Sequence, residues 1–426
     1  MRELNNKDIK TLSLSALGSI LEFYDFIIFA IFTPYFTDAF LPSYLDESIK
    51  YIYTYGAFAA GYLARPLGGI VMAHFGDKFG RKNMFLLSII LMVIPTFIFA
   101  IMPTYEQIGY LAIVILLLIR ISQGIAMGGE MPGAWVFIYE HSPSHSKGLF
   151  LGLLTCGVCG GIVLGTFIAL NLQIIYTEEQ IKEYAYRIPF LLGGIFGLIS
   201  VYLRKFLSET PTFLKLKESK ELHSFPLKSV IKDYKKDILL SMCLTLVLTA
   251  CVVIMLLLIP NYAKKTLNLA PITSTCLQMA GALMVIFGLI CTGTLADFFK
   301  PSNVCKIFSL GLIIFCPMYF YELYVGKDLV LLSAFYLLAC FFIGVVNFAS
   351  IFMCNLFRPN VLFSGISFSY NIAYAIAGFL TPILLVKLHD IAVNTNTIGA
   401  GYYMIFIGIL SYFCAIMYEK IKNHRK

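Results

Sequence analysis

Apolar residues run along this chain in long blocks separated by short polar breaks. A helix needs about 20 mostly apolar residues to cross the hydrocarbon core of a bilayer. Blocks of that kind centre near Asp25, Tyr62, Met92, Gly124, Cys159, Gly197, Thr249, Val285, Ile313, Cys340, Tyr374 and Ile407, which predicts twelve transmembrane helices. One break is different: residues 208–237 form a stretch rich in Lys, Glu and Ser. It divides the chain into an amino-terminal bundle of six helices, residues 1–207, and a carboxy-terminal bundle of six, residues 238–426. The stretch between them reads as a cytoplasmic linker with some amphipathic helix.

Composition agrees with the blocks. Of 426 residues, 59% are hydrophobic and 13% charged, with a mean hydropathy of +0.82; a soluble domain carries nearer a quarter charged residues. The net charge of +8 suggests a nucleic-acid partner only until the charges are placed. With the amino terminus inside, twenty-three Lys and Arg fall in inner segments and seven in outer ones. That bias puts both termini in the cytoplasm, and the positive charge is then topology rather than a nucleic-acid surface. The amino terminus is polar, no cleavable signal is visible, and the chain inserts through its own helices. Most of the eleven cysteines sit inside apolar runs and behave there as small hydrophobes. Cys156 and Cys159 form a CxxC that reads either as redox chemistry or as small residues at a helix contact; the absence of a second pair or of nearby histidines favours the contact.

Ionisable residues inside apolar helices are expensive and therefore functional candidates. The first helix carries Glu22 and Asp25 in LEFYDF, the second Arg65 in LARPLGG, and the fourth Arg120 and Glu130 in RISQGIAMGGE. At ~1.5 Å rise per residue, Asp25 and Arg120 fall near mid-membrane and Glu130 lies about 15 Å nearer the cytoplasm. Glu22 is one turn inward of Asp25 on nearly the same face. A carboxylate beside a guanidinium stays ionised, and withdrawing the arginine lets it take a proton, so Asp25 and Arg120 read as a proton switch; the competing reading is a static pair that fixes packing. Arg65 reads either as a contact for a substrate carboxylate or as a side chain that snorkels or pairs with Glu22.

After the second helix the chain reads Gly76-Asp77-Lys78-Phe79-Gly80-Arg81-Lys82. Two glycines four apart allow a tight turn, Asp77 can cap a helix amino terminus, and Arg81 can reach a carboxylate such as Glu140. The alternative is an ordinary solvated basic loop.

With these residues in view, GDKFGRK resembles the signature loop of the major facilitator superfamily, and RISQGIAMGGE resembles its helix-4 motif. Within that superfamily the metabolite:H+ symporter family is the nearest likeness. It is carried by LEFYDF, ARPLGG, GDKFGRK, the fourth helix through YEHSP, YRIPFLLG, LSETPTF and FSGISFSYNIAYAIAG, which span both halves. The resemblance implies an all-α polytopic membrane protein of the major facilitator fold, in which two six-helix bundles rock about a central site. It further implies that Asp25 is the protonatable carboxylate and Arg120 its partner, with Glu22 and Glu130 in the same coupling set. Arg65, Tyr24, Asn347, Tyr370 and Asn371 would face the substrate. Gly76, Asp77, Gly80, Arg81, Glu140 and Glu209 would form the cytoplasmic gate.

Two features depart from the family. The loop after the eighth helix, TGTLADFFKPSN, keeps Asp297 but lacks the Gly-Arg pair, which leaves the second latch open. No coiled-coil tail follows the last helix, which argues against osmosensing. Other motifs carry less. Gly124 to Gly129 has phosphate-loop spacing but lacks the Lys and Ser/Thr that must follow. Gly157, Gly161 and Gly165 read as close helix packing, and His141 and His145 lack further metal ligands.

The expectation is a multi-pass protein of a bacterial cytoplasmic (inner) membrane, acting as a monomer. It would take up a small metabolite, either a proline/betaine-like zwitterion or an organic acid, by alternating access. The proton gradient supplies the energy, with no cofactor and no metal. A proton-independent facilitator or exchanger of the same fold is the alternative; a non-transporting receptor is the weaker one. An enzyme needs a convergent nucleophile–base set, and none is visible in the sequence.

Overall fold

The computed structural model describes residues 6–205, 209–219, 226–395 and 397–425. The side chains of Glu22 and Arg81 lie outside that description. The first bundle is α1 (Asn6–Phe40), α2 (Glu47–Phe79), α3 (Arg81–Ile101), α4 (Tyr110–His141), α5 (Lys147–Ile175) and α6 (Arg187–Arg204). The second is α7 (Lys235–Lys264), α8 (Pro271–Phe298), α9 (Pro301–Gly326), α10 (Leu329–Leu356), α11 (Leu362–Thr395) and α12 (Ala400–His424). Two short linker helices, Pro211–Glu218 and Pro226–Asp233, lie between them. Among the described residues ten helices are long and apolar enough to span a membrane. The count is eleven when α6 is joined to the Glu178–Ala185 segment that meets it at 50°. The twelfth is α2. Its tyrosines, glycines and Arg65 dilute its hydropathy, but its 33 residues give it a length of about 50 Å.

Burial follows the solvent inversion expected of a bilayer, with apolar side chains outward and small or polar ones inward. On α2, Leu63, Leu67, Val71 and Phe75 recur every four residues and are 40 to 61% exposed, so they line one face of the helix. The residues between them, Tyr62, Arg65, Gly69 and Met72, are buried.

The packing repeats. In the first bundle α1 contacts α5 and α6, α2 contacts α4, and α3 contacts α4 and α6; adding six to each number gives contacts that the second bundle also makes. The bundles meet mainly along α2 against α11 and α5 against α8. That pairing also maps onto itself when the halves are exchanged.

Glycine brings the central helices to backbone contact. A Cβ on Gly124 would stand 2.0 Å from the Gly61 carbonyl oxygen, and one on Gly128 would stand 2.1 Å from that of Arg65. Gly157 and Gly161 of α5 let α1 approach in the same way, with the Ala16 carbonyl oxygen and the Tyr24 nitrogen each 2.7 Å from the added carbon. Such small-residue seams are how helices associate where lipid supplies no hydrophobic drive. Gly128→Val therefore forces α2 and α4 apart and destabilises the protein on the order of 1–3 kcal/mol. Gly56→Ala, with nothing within 4 Å of the added carbon, leaves it unchanged. Thermal unfolding of the two purified variants separates the cases.

Candidate functional site

Asp25 and Arg120 of the first bundle are brought into one buried chain of hydrogen bonds, but not by direct pairing. Asp25 of α1 is 4% exposed and Arg120 of α4 is 1% exposed. Between them stands Gln123, one turn along α4. Arg120 Nη1 donates to Gln123 Oε1 at 2.7 Å, and Gln123 Nε2 donates to Asp25 Oδ2 at 3.3 Å. Thr96 of α3 donates to the same Asp25 oxygen and accepts from Gln123 Nε2 at 3.0 Å. The other carboxylate oxygen, Oδ1, has no hydrogen-bond partner among the described residues and faces Gly193 of α6, where an added Cβ would stand 2.8 Å away. The Arg120 guanidinium also lies 3.8 Å from the centre of the Phe29 ring. The direct Asp25–Arg120 contact expected from the sequence is thus replaced by an amide that accepts from one side and donates to the other. Glu130 is buried farther along α4, at 2% exposure.

Arg65 sits in the seam between the bundles. It is 1% exposed. Its guanidinium carbon lies 3.8 Å from the ring centre of Tyr374, 5.5 Å from that of Tyr370 and 6.0 Å from that of Tyr62. Its one hydrogen bond is from Nη2 to the Tyr370 hydroxyl at 3.4 Å; Nε and Nη1 have no partner among the described residues. No carboxylate pairs with it there, and the alternative of a contact with Glu22 falls outside the described side chains. Tyr62 and Tyr374 stack at 5.6 Å, and Trp135 meets Tyr370 edge-on at 5.1 Å. Asn371, beside Tyr370, crosses the seam to donate to the Gly128 carbonyl of α4 at 2.7 Å, and its Oδ1 has no partner among the described residues.

Two residues expected to face the substrate are committed elsewhere. Tyr24 donates its hydroxyl to the Pro189 carbonyl of α6 at 2.9 Å and packs edge-on against Phe196. Asn347 donates to Thr292 of α8 at 3.5 Å, beside Gly152 of α5. Neither of these hydrogen bonds involves Arg65.

At the end of the molecule that carries the linker, carboxylates cap helix amino termini across the seam. Asp77, at the end of α2, accepts from Ser364 N at 2.9 Å and Ser364 Oγ at 2.7 Å, in the first turn of α11. Asp297, at the end of α8, accepts from Gly148 N at 2.7 Å and Leu149 N at 2.8 Å, in the first turn of α5. The two caps are equivalent under exchange of the bundles, so the second latch is built without the Gly-Arg pair. Glu209 accepts from Lys82 N at 3.2 Å and so caps α3 from the linker. Gly80 allows this twice over: its φ of +113° is disfavoured for other residues, and a Cβ there would stand 2.5 Å from Glu209 Oε2. Gly76 makes room for the Phe363 ring of α11. Tyr139, next to Glu140 in the last turns of α4, donates to Asn355 of α10 at 3.0 Å. Among the linker helices, Val230 is fully buried.

The comparisons with known proteins agree with this geometry. The profile described as Major Facilitator Superfamily matches residues 15–382. A Staphylococcus aureus (strain COL) protein with a provisional proline/betaine transporter name is 28% identical over 405 residues, covering 95% of this chain and 86% of its own. The Escherichia coli (strain K12) proline/betaine transporter is 25% identical over 433 residues, covering 97% and 84%. Among solved structures, the proton:xylose symporter XylE bound to 6-bromo-6-deoxy-D-glucose superposes with a TM-score of 0.79 at 16% identity, covering 97% of this chain and 95% of that one. The protein is a multi-pass membrane transporter and not an enzyme.

If the paired caps hold the linker end closed, Asp77→Ala combined with Asp297→Ala opens it. Cys354 of α10, 2% exposed near that end, is the reporter. Its alkylation, followed by mass spectrometry, rises severalfold in the double variant, and an unchanged rate refutes the role given to the caps.

Proposed function

The chain belongs to the major facilitator superfamily, and on that premise we propose that it couples proton entry to the uptake of a small carboxylate-bearing metabolite across a bacterial cytoplasmic membrane. The observation that carries the reading is Arg65: a fully buried cation between the bundles, ringed by tyrosines of both, with no carboxylate paired with it among the described side chains. A guanidinium offers five donors in a planar fork matched to a carboxylate. Leaving most of them unused in a buried site is costly, and a substrate carboxylate satisfies them. The three tyrosine rings add faces that attract a positive group. Together they favour a zwitterion, the proline and betaine class named for the relatives, over a simple organic acid.

Proton coupling is assigned to Asp25. Its carboxylate is held by two neutral groups, Thr96 and Gln123, with Arg120 one residue removed. A neutral amide can rotate to serve either the charged or the protonated carboxyl, while a direct ion pair would hold the charged form. Movement of α4 against α1 then changes how strongly Arg120 is felt at Asp25. The linker end, by its excess of Lys and Arg, is placed in the cytoplasm, and the carrier works as a monomer.

Asp25→Asn abolishes accumulation against a gradient in proteoliposomes while leaving counterflow exchange partly intact. Undiminished accumulation with a proton gradient as sole drive rules Asp25 out as the proton carrier, and insensitivity of the native protein to uncouplers establishes the proton-independent alternative. The substrate class is read by thermal shift with amino acids, betaines, and di- and tricarboxylates. A ligand at a hundred times its Kd stabilises the folded state by about 2.7 kcal/mol, and stabilisation by dicarboxylates alone rejects the zwitterion.

A further inference from the structure

The Arg65 guanidinium lies where a cationic ligand would lie. It faces the Tyr374 ring at 3.8 Å and sits within 6.0 Å of the Tyr62 and Tyr370 ring centres, which is the range in which a ring quadrupole attracts a positive charge. The rings are braced independently of it, Tyr62 by stacking on Tyr374 and Tyr370 by the edge of Trp135. The box is therefore a built feature of the seam. What the box gives Arg65 little of is hydrogen bonding: among the described residues, one long bond to Tyr370, and none at Nε or Nη1. The guanidinium is thus held by its charge and left unsatisfied in its donors.

We propose that Arg65 is a tethered stand-in for the cationic group of the substrate. Resting on the zwitterion reading above, the exchange runs as follows. An arriving carboxylate offers the fork two parallel charge-assisted hydrogen bonds, about twice as strong as neutral ones. The guanidinium turns to it and leaves the ring faces. An ammonium one or two carbons from that carboxylate then takes the vacated faces, so the box holds a positive charge before and after. A cation without a carboxylate has nothing to draw Arg65 away and must compete with a charge already tethered in place. The device accepts zwitterions and turns away simple cations of the same head group, although the rings alone would bind both. Because Arg65 belongs to α2 and two of the three rings to α11, the exchange also replaces a contact between the bundles with one made by substrate.

The test uses the purified full-length protein in nanodiscs and two probes, glycine betaine and choline, with affinities from calorimetry. The wild type binds choline at least about tenfold more weakly than Arg65→Gln does, since emptying the box of its tether exposes desolvated ring faces. Adding Tyr374→Leu to Arg65→Gln removes that gain, and Arg65→Lys, which keeps a tethered cation, stays near the wild type. A choline affinity that does not rise in Arg65→Gln overturns the proposal. So does a wild type that binds choline as tightly as glycine betaine, a result that needs no variant to fold. Failure of the wild type to bind glycine betaine counts instead against the zwitterion as substrate class, and the choline gain of Arg65→Gln still decides the stand-in.

Discussion

Acyl chains neither donate nor accept hydrogen bonds, so each charge that α1, α2 and α4 carry into the bundle must be solvated by another helix. The protein meets that constraint in two ways. Around Asp25 and Arg120 it uses neutral hydrogen-bonding groups, Thr96 and Gln123, that link the two charges without letting them touch. Around Arg65 it uses ring faces from both bundles. The first arrangement joins Arg120 Nη1 to Asp25 Oδ2 through Gln123 and leaves the other carboxylate oxygen without a hydrogen bond among the described residues. The second satisfies the charge and leaves the donors over. In the function proposed here, each remainder receives a different visitor, a proton in one case and a carboxylate in the other.

The linker end depends on a related economy. A helix amino terminus presents unpaired N–H groups and a partial positive charge, and a carboxylate from the opposite bundle satisfies both at once. Asp77 does this for α11 and Asp297 for α5. Because both caps are built on backbone amides, joined at Asp77 by the Ser364 hydroxyl, water can replace these bonds when the bundles separate. Such a bond is firm enough to favour one state and weak enough to be exchanged in every cycle, which a desolvated ion pair would not be.

The twelve helices were legible because hydrophobic length is a property of each segment alone. Only α2 reads weakly by hydropathy, since the Tyr, Gly and Arg residues that dilute it are the ones that face the seam. Asp25, Arg65 and Arg120 were legible for the same reason, as charges in apolar runs. Gln123 and Thr96 were not, because neutral polar residues are common in such helices and nothing local marks which ones meet a charge. Asp297 shows the opposite failure: the missing Gly-Arg pair argued against a latch whose working parts are one carboxylate and two backbone amides. The family resemblance implied that Tyr24 would face the substrate. Successive residues on a helix point about 100° apart, and its hydroxyl reaches α6 instead.

Arg65 and Arg120 are joined through the backbone. Gly61 lies against the Arg120 carbonyl, with an added Cβ 3.1 Å from its oxygen, and Gly128 lies against that of Arg65. With no side chains between them at these points, α2 and α4 have little freedom to slide without the carbonyls and Cα atoms colliding, since close-packed surfaces are not continuously deformable. In the proposed exchange, a shift of α2 that follows release of the tyrosine rings therefore moves α4, and with it Arg120 and Gln123, relative to Asp25 on α1. In the proposed function, substrate and proton are read by different residues but by one rigid pair of helices, and the glycines that look like mere packing make the two readings a single event.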